Sequence, residues 1–250
     1  MPFSSSAPDV ADFLLLSPQK NLADGHILLI DKPLAWTSFD VVGKVRYLLR
    51  HRLGYGKLKV GHAGTLDPLA TGLVVVCIGK ATKFAGELTN EDKRYVASFT
   101  LGARTPSHDL ETSVARGGDF EHFSEEDIRR AMRSMEGEVM QVPPLFSAKR
   151  VEGKRAYALA RLGEEISLPP VPVAIHRFQL LSYDPLNGVA VADILCSKGT
   201  YIRSIARDLG EKLGCGAYLS ALRRTASGRF TLDDAVSITD FEGWVELVAG

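Results

Sequence analysis

The chain has 250 residues, 45% of them hydrophobic, with 30 basic side chains against 30 acidic and a formal net charge of zero. That length and apolar content can bury a real core, as one large domain or one domain with an appendage. The charge balance excludes a strongly basic, histone-like binder, so any contact with a polyanion has to come from a local patch, with acids such as Glu121, Glu125, Glu126 and Asp127 on another face.

Met1 to about Asp24 reads as an N-terminal extension with a loose Ser4-Ser5-Ser6 start. Its apolar run, Phe13 to Leu16, is far too short to span a membrane and follows no basic segment, so no export signal is visible. Ile27 to Ile30 is a short apolar strand. Thr37 and Asp40 suit a helix N-terminus, after which Val41, Val42, Val45, Leu48 and Leu49 recur at helical spacing. Lys44, Arg46, Arg50 and Arg52 fall off that stripe. Lys57 to Val60 and Leu73 to Ile78 are strand-like runs on either side of a glycine-rich loop.

Further on, Tyr95, Ala97, Phe99 and Leu101 alternate with Val96, Ser98 and Thr100, which is the signature of a strand. Ser124 followed by three acids starts a helix carrying Ile128, Met132 and Met135, with Gly137 at its end. Gly153 to Leu162 is predicted as another helix. Val171 to Leu181 and Val189 to Leu195 are predicted strands joined by the turn Pro185-Leu186-Asn187-Gly188. Thr200 is expected to cap a helix whose buried stripe is Ile202, Ile205, Ala206, Leu209 and Leu213, and Phe241 to Val248 can form a short final helix. No internal repeat or low-complexity tract stands out. Strands and helices in irregular order imply a mixed α+β domain and not a doubly wound parallel sheet.

The loop Gly61-His62-Ala63-Gly64-Thr65-Leu66-Asp67-Pro68-Leu69-Ala70-Thr71-Gly72 carries the chemistry. Pro68 pushes Asp67 toward an extended conformation, and the glycines let a bulky ligand approach the backbone. From Val41 to Leu66 there is no acid, while Lys44, Arg46, Arg50, Arg52, Lys57 and Lys59 crowd the approach. A lone carboxylate among cations suits a reaction on a polyanion. The alternative use of Asp67 is as a turn-former ahead of proline. Cys77, Cys196 and Cys215 lack zinc-ligand spacing and read as cytosolic thiols, and the histidines suggest no metal site.

This loop closely resembles the catalytic-aspartate motif of the TruB-type tRNA pseudouridine synthases. The likeness continues through Ile27 to Val42, Gly79 to Phe84, Asp92 to Tyr95, Val142 to Lys154, Cys196 to Gly216 and Leu222-Arg223-Arg224, in the family's order. The resemblance implies the pseudouridine-synthase catalytic fold, a mixed and mostly antiparallel sheet flanked by helices and loops. It implies a catalytic domain over 25–235 with a thumb-like insertion over about 138–170, after a 1–24 extension and before a 236–250 tail. The tail is too short for the C-terminal PUA domain of longer members. The implied activity is isomerisation of the uridine at position 55 in the T-loop of tRNA, by base flipping and an aspartate nucleophile.

By resemblance, Asp67 is that nucleophile, Arg203 is the arginine that pairs with it, and Tyr95 is the aromatic against the target base. Arg203 also falls outside the stripe of its helix, so it can face a cleft, or it can pair with the nearby Asp208. His62 resembles the histidine that fills the space left by the flipped nucleotide, which offsets part of the cost of unstacking. Tyr201 and Leu222 match positions of the uracil pocket. Lys32 and Lys83 are substrate contacts in a set of candidate phosphate binders with Lys80, Lys93, Arg94, Lys149, Arg150, Lys154, Arg155, Arg223 and Arg224. The isomerisation is redox-neutral and hydrolyses nothing overall, so no cofactor or metal is implied. The expected partner is the T-arm of tRNA, with no membrane and no protein partner, in a cytoplasmic monomer. The other readings are a synthase acting on another RNA, a tRNA-binding folding chaperone, and a nucleoside or glycoside hydrolase. The hydrolase wants a second carboxylate that Asp67 does not visibly have.

Overall fold

A computed structural model describes residues 22–146, 150–151, 154–155 and 168–249. In chain order the strands are β1 (His26–Lys32), β2 (Val60–His62), β3 (Ala70–Ile78), β4 (Lys93–Leu101), β5 (Ala103–Arg104), β6 (Ala115–Arg116) and β7 (Gly137–Gln141). They continue with β8 (Arg150–Val151), β9 (Lys154–Arg155), β10 (Val171–Asp184), β11 (Val189–Cys196), β12 (Ala217–Ser227), β13 (Phe230–Thr231) and β14 (Val236–Ser237). The α-helices are α1 (Ser38–His51), α2 (Ala85–Thr89), α3 (Glu125–Arg133), α4 (Ile202–Leu213) and α5 (Ile238–Ala249). The fold is α+β, with β1–β3, β4–β11, β10–β11 and β7–β10 pairing antiparallel and β1–β14 pairing parallel. Among the described residues, no helix is long and apolar enough to cross a membrane.

The chain forms two compact units, one of Met1–Glu91 with Arg223–Gly250 and one of Asp92–Leu222. In the first unit, β3 is the central strand. It pairs along its length with β1, from His26 opposite Ile78 to Lys32 opposite Gly72, and β2 joins it at Val76, Cys77 and Ile78. Leu73, Val75 and Cys77 lie on one face of β3 and pack with Ile27, Leu29, Ala63 and Phe230. Val74, Val76 and Ile78 alternate to the other face and are equally buried, which is why the sequence there is a continuous apolar run.

Helix α1 starts where the sequence predicts, in a capping box between Thr37 and Asp40 worth roughly 0.5–2 kcal/mol. It buries the predicted stripe Val41, Val42, Val45, Leu48 and Leu49. The 236–249 segment is built into this unit. β14 pairs with β1, and α5 packs on α1 with Lys44 Nζ 2.5 Å from Glu242 Oε1.

In the second unit the strands run from the start of β12 through β4, β11 and β10 to β7. Tyr95, Ala97, Phe99 and Leu101 are buried on one face of β4, as their alternation predicts. Phe99 meets Phe178 of β10 edge to face at 5.6 Å. Two expected boundaries move. Helix α3 ends at Arg133, leaving Met135 outside it, and Gly137 opens β7 at φ +108° instead of closing the helix. Thr200 does not cap α4. Its hydroxyl donates to Ser197 O at 2.9 Å across a turn through Gly199, and Tyr201 takes the cap position without a side-chain bond. The expected extension before Leu22 and much of the thumb-like insertion lie outside the described residues; of the helix predicted for Gly153 to Leu162 only Lys154–Arg155 is described, and it is a strand, β9, paired with β8.

Candidate active site

Asp67 lies half-buried at the start of the turn Asp67-Pro68-Leu69-Ala70, with its carbonyl accepting from Ala70 N at 3.1 Å. Everything around that turn fixes its backbone. Leu66 N donates to Ser38 Oγ at 2.8 Å, and Ser38 Oγ donates to Leu66 O at 3.3 Å, which ties the residue before Asp67 to the first turn of α1. Pro68 O accepts from Ala35 N at 2.9 Å and from Lys32 Nζ at 3.4 Å.

Lys32, at the end of β1, is 0% exposed and also donates to Trp36 O at 2.6 Å and Pro33 O at 3.0 Å. Its expected role as a substrate phosphate contact is therefore corrected. The ammonium is bonded to backbone carbonyls under the Asp67 turn and is covered from solvent. Burial pushes its pKa down to about 8, against the opposing pull of the Asp67 carboxylate and with a further push from the Arg224 guanidinium.

Arg224 is a second buried cation, 1% exposed on β12. It donates through Nε to Leu73 O at 2.7 Å and through its terminal nitrogens to Gly64 O at 3.2 Å and Thr65 O at 3.3 Å. One guanidinium thus binds both flanks of the Asp67 loop, and it too is unavailable to phosphate. Gly72 makes this approach possible. At φ +102°, a Cβ on it would lie 2.3 Å from Arg224 O. His62, at the end of β2, is half-buried. Burial first, and then the Arg224 charge, lower its pKa below the ordinary value, with the Gly64 backbone opposing, so the imidazole is favoured in its neutral form.

The other candidates of this unit are less committed. Lys83 is exposed on the short helix Gly79–Phe84, Lys80 pairs with Asp24 at 2.8 Å, and Arg223 pairs with Asp31 at 2.6 Å. Arg50, Arg52, Lys57 and Lys59 are exposed.

In the second unit, Tyr95 is 8% exposed on β4, so it belongs to the buried face of its strand. Arg203 is 5% exposed in the first turn of α4. Although it falls off the apolar stripe of its helix, it is covered from solvent. Its Nε lies 3.6 Å from Asp109 Oδ2, and one terminal nitrogen donates to Phe146 O at 2.9 Å. Asp208, the neighbour considered as its partner, is taken by Arg207. Tyr201 is half-buried and clamped at both backbone atoms by Gln141, its N donating at 2.8 Å and its O accepting at 3.1 Å. Leu222 is half-buried near the middle of β12. Of the remaining phosphate candidates, Lys93 is buried and Arg94 is held by Asp193, which also binds Arg177. Lys149 and the side chains of Arg150, Lys154 and Arg155 lie outside the described residues.

Sequence reasoning missed Asp109. It is buried, faces Arg203, and accepts from Glu111 N at 2.9 Å, while its backbone bridges to Leu219. No local pattern marks it, because its partner lies almost a hundred residues away. Beside it, His108 holds a left-handed φ of +62°, and burial followed by the Arg207 and Arg203 charges pushes its pKa down to about 4. The three thiols are buried and are pushed up by burial, Cys77 to about 11 and Cys196 to about 12.

The model of the TruB family pseudouridylate synthase N-terminal domain matches residues 50–202, and that of the tRNA pseudouridylate synthase B C-terminal domain matches residues 203–249. The chain belongs to the TruB family. Among curated members of this family, tRNA pseudouridine synthase B of Phocaeicola vulgatus is 46% identical over 226 residues, which is 90% of this chain and 95% of that protein. Its counterpart from Parabacteroides distasonis is 48% identical over 223 residues, 89% of this chain and 94% of that protein.

Solved structures of the same fold include the archaeal box H/ACA sRNP Nop10–Cbf5 complex, at TM-score 0.66 and 26% identity, and a Cbf5–Nop10–Gar1 complex, at 0.68 and 26%. This chain is covered over 92% and 93% of its length in these two comparisons, but spans only 58% and 62% of the chains matched. The motif blocks from Gly61 to Leu222-Arg223-Arg224 lie inside the two matched ranges, and Ile27 to Val42 precedes them. The loop from Gly61 to Gly72 lies inside the N-terminal match, and α4 with Arg203 opens the C-terminal one.

Proposed function

We propose that this chain isomerises uridine to pseudouridine in the T-loop of tRNA, with Asp67 as the nucleophile. The reaction exchanges the N1–C1′ bond for a C5–C1′ bond and moves one proton from C5 to N1. It therefore needs a carboxylate held at the sugar–base junction and no net oxidation or hydrolysis.

The observation that carries this reading is the way the Asp67 turn is held. Two fully covered cations, Lys32 and Arg224, bind the carbonyls on both sides of it, and Ser38 binds Leu66. A loop ordered this way fixes the backbone that presents the carboxylate before the substrate arrives, which favours positioning catalysis. A plain turn-forming aspartate needs no such support.

In the second unit, Arg203, Tyr95, Tyr201 and Leu222 are proposed as substrate-facing residues on the family resemblance, with Arg203 held by Asp109. His62, kept neutral, is proposed to stack in the space the target base leaves, at an interface already crowded with cations. The names of the curated relatives, at 46% and 48% identity over nearly their whole length, favour tRNA over the RNA of guide-directed particles. A cytoplasmic location goes with that substrate.

The test is Asp67→Asn, which keeps the shape and removes the nucleophile. Pseudouridine in a tRNA transcript, mapped by carbodiimide and mass spectrometry, should disappear while the affinity for the transcript stays within a few-fold. Retained turnover in this variant would remove Asp67 from the chemistry.

A further inference from the structure

Helix α1 turns its apolar stripe to the core and leaves an aromatic strip on its other face. Phe39 is 68% exposed and Tyr47 is 53% exposed, two large aromatic side chains in water on one helix. At 100° per residue, Phe39, Gly43, Tyr47 and Arg50 fall within about a quarter of the circumference, away from Val41, Val45 and Leu48. The Tyr47 and His51 rings contact each other at 4.8 Å between centroids, tilted by 35°, so the far end of the strip is a two-ring platform.

Between the aromatics sits Gly43, and a Cβ added there would meet nothing within 4 Å. Glycine inside a helix costs about 1 kcal/mol relative to alanine. Packing does not demand it here, and its effect is to leave bare backbone as the floor of a slot between Phe39 and Tyr47, whose Cα atoms lie about 12 Å apart along the axis.

The charges select the occupant. Exposed Arg50 lies on the strip itself, and Arg52, Lys57 and Lys59 follow it, also exposed. The one acid of α1, Asp40, is bound by the Thr37 backbone and hydroxyl at 2.8 Å and 2.7 Å, and Lys44 is matched by Glu242. The strip begins next to Ser38, the residue that holds Leu66 beside Asp67. Exposed flat rings alternating with cations are how single-stranded nucleic acid is held, with bases on the rings and phosphates on the cations.

We infer that Phe39, Tyr47 and His51, with Arg50, form a stacking strip for unpaired bases of the RNA substrate, extending from the catalytic loop along α1. This rests on the RNA-modifying function proposed above.

The test compares the intact enzyme with Phe39→Ala, Tyr47→Ala, Phe39→Trp and Gly43→Gln. Equilibrium binding and steady-state kinetics are measured on one tRNA transcript at one salt concentration. Each alanine variant should weaken binding and raise KM by roughly 5- to 150-fold, the range for losing one base–aromatic stack, with kcat preserved. Phe39→Trp should restore wild-type affinity. Gly43→Gln should fill the slot, so that it melts at a higher temperature than the wild type and still binds the transcript more weakly, a combination that damage to the fold cannot produce. The slope of log affinity against log salt should stay unchanged in Phe39→Ala and fall by about 0.7 in Arg50→Gln. Unchanged affinity in both alanine variants, or a fall in kcat at constant KM, overturns the strip. Neither result touches the assignment of function, which fails separately if the wild-type protein makes no pseudouridine in the transcript.

Discussion

Replacing Arg224 by Met removes three hydrogen bonds from a side chain that is almost completely covered and leaves three carbonyls without their donor. The bond to Leu73 O, at 2.7 Å, is in the charge-assisted range and is worth about 1.5–3 kcal/mol. Those to Gly64 O and Thr65 O, at 3.2 Å and 3.3 Å, are longer and together add about 1–2 kcal/mol. The expected loss is about 2.5–5 kcal/mol, a large part of the roughly 5–15 kcal/mol that holds a domain folded. Urea unfolding measures it through the midpoint at constant slope. The protein that still folds should react slowly, because the loop from Gly64 to Asp67 has lost its anchor, and a displacement of about 1 Å at the reacting group costs on the order of 100-fold. A single-turnover assay at saturating enzyme isolates that step. Arg224→Lys should recover only part of both losses, since a single ammonium cannot reach three separate carbonyls in the guanidinium's geometry. His62 gives an independent reading by NMR titration. Its pKa should rise in Arg224→Met, because the guanidinium charge is one cause of its depression. A variant within about 1 kcal/mol of wild type, with an unchanged single-turnover rate, would refute the idea that this cation holds the Asp67 loop.

Three other outcomes are expected. Lys32 carries a folded-state pKa of about 8 against an ordinary 10.5, so between those values the unfolded chain holds a proton the folded one has lost, and stability gains with rising pH. The difference in urea midpoint between wild type and Lys32→Met should therefore shift in favour of wild type from pH 7 to pH 10, and a constant difference would show that the ammonium is not destabilised by burial. Ala35 holds a left-handed φ of +66°, which costs an L-residue roughly 1–2 kcal/mol; Ala35→Gly should raise the melting temperature or leave it unchanged, and a clear fall would argue against the strained turn. Gly72→Ala should be strongly destabilising, since its methyl would meet Arg224 O at 2.3 Å, and an unperturbed melt with full activity would contradict that close approach.

What was legible in the sequence was set by local rules. The stripe of α1 and its Thr37–Asp40 box, the alternation of β4 and the turn after Asp184 all depend on residues a few positions apart, and all appear where the sequence places them. Asp67 stood out for a similar reason, as the one acid in a glycine-rich loop amid cations. The sequence could not say which cations face water. Lys32 and Lys83 look equally suited to a phosphate, yet one is sealed under a turn and the other is exposed, because coverage is decided by strands that meet only in the folded chain. The same holds for Arg203, whose contacts with Asp109 and Phe146 O join segments 94 and 57 residues away in sequence. Residue type and spacing determine the elements and the candidate chemistry. Tertiary structure decides which charges are free to meet a substrate, because desolvation and pairing depend on neighbours brought from far along the chain.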